Sequence, residues 1–234
     1  MVGIALYIRL RIPETPVFRR LVAEQQIART PVLEVIKHQP KQIILAALAR
    51  MAEQASSYVY AAFLFTYGTI VLHSSRDLLL SAVLTAAALS LIAVPLSGHL
   101  SDRVGRKRMY LIGAAATGGV TFVYFEMMNT TIGGWIFLAV VLSFVPWSMM
   151  YAPQAALIAE CFPPRLRYSG ASLGYQLSSV VAGGPAPFIA TALLAAFGSG
   201  YAIAFYILFC VVISIVATVL LPDYTNRDIS SERA

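Results

Sequence analysis

Long apolar runs fill most of this chain, at about residues 43–71, 78–97, 109–127, 135–158, 170–195 and 201–221. An apolar stretch of about 18 residues or more is long enough to cross lipid as a helix. Six of them in series, joined by short segments, define an all-α membrane protein. Lipid-facing barrels need short alternating segments, which continuous runs do not provide. Composition agrees: 59% of the 234 residues are hydrophobic and 12% are charged, against about 25% charged in ordinary soluble domains.

The net charge of +6 would suit a nucleic-acid partner if it were spread over a surface. It is not. With residues 9–41 on the cytoplasmic side, six spans return the C-terminus to that side. Fifteen of the 17 Lys and Arg residues then fall in cytoplasmic segments, Arg76 lies outside, and Arg50 lies within the first span. This positive-inside bias orients a cell (inner) membrane protein with both termini cytoplasmic. The basic balance therefore reports topology and contact with the lipid bilayer, and implies no nucleic acid.

Four regions follow. Residues 1–8 read as the end of a transmembrane helix whose start is missing. Residues 9–41 form a cytoplasmic linker with apolar residues at near-helical spacing, matching amphipathic interfacial helices or a flexible connection. Residues 42–222 form a six-transmembrane-helix bundle, and 223–234 a cytoplasmic tail. The outer loops at 72–77, 128–134 and 196–200 are short, so successive helices are antiparallel neighbours. Pro95, Pro146, Pro153, Pro185 and Pro187 are expected to kink or interrupt their helices. Cys161 and Cys210 belong to different depths, and no disulfide is expected between them.

The loop Gly98-His99-Leu100-Ser101-Asp102-Arg103-Val104-Gly105-Arg106-Lys107-Arg108 resembles the signature between the eighth and ninth helices of the major facilitator superfamily. Pro13-Glu14-Thr15-Pro16, Met149–Gly174 and Gly183-Gly184-Pro185-Ala186-Pro187 resemble corresponding regions of its metabolite:proton symporter family. The resemblance covers essentially the whole chain. It implies the C-terminal half of a twelve-helix fold, with a small-molecule substrate and a proton as cargo and a missing N-terminal six-helix half as partner. It also implies alternating access around a mid-membrane site. The substrate would be an organic acid, with zwitterions such as proline or betaine as the other branch. The alternative is a truncated or split half-transporter that inserts in the membrane but does not transport without an N-terminal half.

Two groups of side chains carry the expected chemistry. On the cytoplasmic side, Asp102, Arg103, Arg106, Glu160, Arg165 and Arg167 are expected to form a gate. Gly98 and Gly105 supply its turns, and Asp102 faces the N-terminus of the fifth span near Ser169 and Gly170. Within the first span, Arg50, Glu53, Gln54 and Tyr58 recur at helical spacing on one face. Charges inside a membrane cost about 2.5–3.5 kcal/mol on insertion scales and usually face a cavity or a partner. Arg50 suits an anionic substrate and Glu53 a proton; equally, both can snorkel to the interface. Trp147, Tyr151 and Gln154 in the fourth span, and Tyr175 and Gln176 in the fifth, form polar faces. These suit a wet cavity or interhelical hydrogen bonds. The three histidines have no second ligand at metal spacing, so neither a metal nor a cofactor is expected. No nucleophile–base pair points to an enzyme.

Overall fold

A computed structural model describes residues 31–222. The expectations for residues 1–30, including the Pro13-Glu14-Thr15-Pro16 motif, and for the tail at 223–234 lie outside the described residues. The first described helix, α1, spans Pro31–His38. It is followed by a helical run over residues 40–71, α2, built from Pro40–Ala49, Met51–Tyr58, Val59–Phe63, Leu64–Thr66 and Tyr67–Val71. Then come α3 (Arg76–Val104), α4 (Arg106–Asn129), α5 (Gly133–Glu160), α6 (Arg167–Phe197) and α7 (Gly200–Leu220). Among the described residues there is no strand.

Helices α3 to α7 are each long and apolar enough to cross a membrane. The first expected span, α2, differs. Its path is interrupted at Arg50 and twice widens into π-helical turns, at Val59–Phe63 and Tyr67–Val71. π-Turns are rare and gather at functional positions. α6 carries a third one, Ser179–Gly183, and breaks at Gly184 and Pro185. Pro187 falls in the first turn of the segment beyond, where its missing N–H costs nothing. Pro95, Pro146 and Pro153 sit inside helices that are not interrupted.

The connections are even tighter than expected. Ser75 caps α3 by accepting a hydrogen bond from Leu78 N (3.3 Å), which satisfies one of the free N–H groups of the first turn. A single residue, Gly105, joins α3 to α4 with φ at +105°, a conformation a side chain strains to adopt. Gly98, by contrast, lies inside α3 and makes no turn. The helical register runs on to Val104, so one glycine does the work assigned to two.

α5 packs between α3 and α4, α7 lies against α4 and α2, and α6 closes on α2. The packing core is aromatic toward the end opposite the basic loop. Tyr60 and Tyr124 rings stand 4.9 Å apart, and Tyr67 meets Phe125 edge-on at 5.5 Å. The tyrosine hydroxyls find partners: Tyr60 with Thr121 (2.5 Å), and Tyr67 donating to Asn129 Oδ1 (2.6 Å). At the basic end a second cluster gathers Ile43, Ala46, Ile158, Cys161, Phe162 and Leu221. Val35 of α1 is buried in it, while Val32, Leu33 and Ile36 are exposed. Cys161 and Cys210 are both buried thiols, and Cys161 Sγ donates to the Leu157 carbonyl (3.1 Å). Outward side chains such as Leu91, Ile92 and Phe188 are largely exposed, the normal outer surface of a bundle whose solvent is hydrocarbon.

Candidate functional site

Arg50 does not snorkel. It is 5% exposed and enclosed by its own bundle. Nε donates to Gln154 Oε1 (3.1 Å), Nη1 to the Tyr175 carbonyl (3.2 Å) and Nη2 to Glu53 Oε2 (3.1 Å). The guanidinium also lies over the Tyr175 ring, 3.7 Å from its centroid. A planar fork of donors suits this three-way grip, and a point charge does not. Glu53 is 3% exposed. A charge pair so deeply buried is tolerated only when its remaining hydrogen-bonding capacity is also met.

The surroundings supply more donors than acceptors. Trp147 of α5 stacks on Tyr151 with ring centroids 4.7 Å apart. Its indole Nε1 and the amide Nε2 of Gln154 are buried and make only loose contacts with the Glu53 carboxylate, short of well-formed hydrogen bonds. Both flank the Glu53 carboxylate. Unsatisfied buried donors are rare in native structures, and each asks for an explanation. Next to this group, Gln54 donates through Nε2 to Ser179 Oγ (2.8 Å), linking α2 to the π-turn of α6. Tyr58 is exposed, with its ring edge against the backbone of Gly183. Gln176 is exposed and does not join the cluster.

The site lies on the basic side of the bundle's middle. Arg50 is about 15 Å of helix rise from Pro40, Gln154 about 9 Å from Glu160, and Tyr175 about 12 Å from Arg167. All three helix ends belong to the basic side.

At that end Arg106 forms the cross-link. It pairs with Asp102 one turn back (3.3 Å) and with Glu160 of α5. Asp102 is exposed, and its ion-pair partner is Arg106 rather than the N-terminus of α6. Arg103 is exposed; Arg165 approaches Glu34 of α1 at 3.9 Å, and Arg167 donates to the Phe162 carbonyl (3.4 Å). Lys107 escaped sequence reasoning. Its ammonium donates to the carbonyls of Val219 (2.9 Å) and Leu221 (2.7 Å), closing the C-terminal end of α7, where a cation also meets the helix dipole.

Tyr110 and Ser214 were missed too. Ala52 N–H donates to Ser214 Oγ (2.8 Å), and that hydroxyl donates to the Leu48 carbonyl (3.0 Å). Tyr110 donates to the carbonyl of Ala49. These contacts are to backbone, so no pattern of side-chain types announces them.

The fold and this buried polar centre define a polytopic helical membrane protein with a charged pair held inside its bundle. The family model described as Major Facilitator Superfamily matches residues 1–185 and 43–233, and the chain belongs to that superfamily. The overlapping matches suit a fold whose two halves are related repeats. The chain is 32% identical to the shikimate transporter of Escherichia coli over 223 residues, covering 94% of this chain and 51% of that protein. It is 29% identical to the ectoine/proline transporter of Corynebacterium glutamicum, covering 96% of this chain and 46% of that one. A glycine betaine/proline/ectoine/pipecolic acid transporter of Dickeya dadantii is 25% identical, with 96% and 46% covered. The chain thus spans about half the length of the curated relatives it matches. No solved structure gives a significant match. The relatives are transporters, not enzymes.

Proposed function

We propose that this chain forms the substrate- and proton-handling half of a symporter that carries a small organic acid by alternating access. The observation that carries the reading is the buried Arg50–Glu53 pair, roofed by Tyr175 and flanked by the loosely held donors of Trp147 and Gln154. Empty, the pair neutralises itself. A proton taken up by Glu53 removes the carboxylate charge and releases Nη2 of Arg50 for an incoming carboxylate. The indole and amide donors supply the rest of the cradle. Gln154 and the Tyr175 carbonyl keep the guanidinium in place meanwhile. When the anion leaves, Arg50 reclaims Glu53 and the proton is expelled. One proton and one anion are thereby tied to the same event.

Access requires the Tyr175 ring to move off Arg50, and α6 has a π-turn and a break at Gly184-Pro185 just beyond to absorb such a movement. The Arg106–Glu160 link would fasten α3, α4 and α5 at the cytoplasmic side and part as the cavity opens inward. The positive-inside pattern supports an inner-membrane location with cytoplasmic termini. Two relatives carry proline and ectoine by name, and adjacent charges of opposite sign also fit a zwitterion. The half length favours a second reading, in which the chain inserts but moves nothing without a six-helix companion.

The test uses protein immunopurified from native membranes through the Asn226–Ala234 tail, with whatever companion travels with it, reconstituted in liposomes. An inward proton gradient is expected to drive accumulation of labelled shikimate. Glu53→Gln should still exchange substrate without accumulating it. Undiminished accumulation by Glu53→Gln overturns the coupling role. Proline outcompeting shikimate assigns the zwitterion branch. Transport only when a second polypeptide co-purifies assigns the split-carrier reading.

A further inference from the structure

The interruption of α2 at Arg50 is built by other helices. In an unbroken helix Ala52 N–H would bond the Leu48 carbonyl. Here Ser214 Oγ stands between them, accepting from one (2.8 Å) and donating to the other (3.0 Å). Tyr110, fully buried, donates to the Ala49 carbonyl. Arg50 N–H contracts to the Ala47 carbonyl at 3.2 Å. Four backbone groups between Leu48 and Ala52 thus have their hydrogen bonds redirected, and the residue in the middle is the one whose guanidinium meets Gln154, Tyr175 and Glu53. Neither Ser214 nor Tyr110 donates to that guanidinium or accepts from it.

We infer that Ser214 and Tyr110 are positioning residues that hold open the break in α2 and thereby set the Arg50–Glu53 pair for coupling. The inference rests on the reading of that pair given above. Ser214 comes from α7 and Tyr110 from α4, so the pair answers to the seating of α2 on these helices as well as to its direct partners on α5 and α6. With either hydroxyl gone, a carbonyl of α2 loses its donor, the helical bond can re-form, and the guanidinium turns about the helix axis away from Gln154. Around Glu53 stand Arg50 on its own helix, Tyr110 of α4, Tyr175 of α6, and the neutral donors Trp147 and Gln154 of α5. α7 contributes the Ser214 hydroxyl.

The test uses the whole 234-residue chain in nanodiscs with Trp135→Phe, which leaves Trp147, beside Glu53, as the sole indole of the two. Its emission is recorded against pH. The emission is expected to titrate, and Glu53→Gln to abolish the titration. Ser214→Ala and Tyr110→Phe should each move its midpoint by about half a pH unit or more, with Ser214→Thr restoring it. Should Ser214→Ala fail to extract as a single species, Tyr110→Phe carries the same expectation. Midpoints in both hydroxyl variants that coincide with the parent overturn the positioning role and leave the coupling pair standing. A parent that does not titrate, or titrates alike with Glu53→Gln, overturns the coupling pair itself and this inference with it.

Discussion

Arg50 makes three directed hydrogen bonds from one buried guanidinium, to a side-chain amide, a backbone carbonyl and a carboxylate. Lysine keeps the charge but cannot reach all three from one point. Losing one charge-assisted bond costs about 1.5–3 kcal/mol, so Arg50→Lys is expected to lower uptake at least about tenfold while still extracting as a folded protein; radiolabel uptake beside size-exclusion chromatography checks it. Gly105 carries a different burden. With φ at +105°, Gly105→Ala should cost about 1–3 kcal/mol, read as a lower melting temperature in detergent, and an unchanged Tm would mean that the junction relaxes freely. At this scale the sequence was partly legible. Two charges three residues apart in an apolar run announce a site, because lipid penalises them wherever they lack a partner. Their burial was not legible, since snorkelling and pairing use the same spacing, and only the positions of Gln154 and Tyr175 decide between them.

Among elements, the basic-end link is the clearest case of sequence neighbours misleading. Asp102 and Arg106 sit one turn apart and mostly in solvent, a pairing of about 0.3–0.5 kcal/mol. Glu160, far away in the chain and more buried, ties Arg106 to another helix. Glu160→Gln is therefore expected to impair transport more than Asp102→Asn, with insertion intact in both; membrane fractionation with uptake measures the two together. A larger loss in Asp102→Asn would return the gate to the loop itself. Helix existence was legible for α3 to α7, because an apolar run of membrane length has few other fates. The form of α2 was not. Its break is written in a lone serine and a lone tyrosine on other helices, and its π-turns in no local residue pattern. Gly98 misled because a glycine inside a membrane helix and a glycine at a turn look alike until φ is known.

For the molecule as a whole, membership of the superfamily and the six-helix arrangement agree, and α5 is the helix that reaches both polar centres. It brings Trp147 and Gln154 to the charged pair and Glu160 to the basic-end link, so one continuous helix contributes to both. The charge asymmetry between the two sides of the expected spans was legible because it depends only on counting. The location of the polar centre toward the basic end was not, since depth depends on where each helix starts. The most direct measurement of the coupling role records the pH of a lightly buffered suspension of native-membrane vesicles when shikimate is added. Symport through Arg50 and Glu53 makes the medium more alkaline as protons enter with the anion, and Glu53→Gln makes it silent. An alkaline shift of the same size in Glu53→Gln would contradict it.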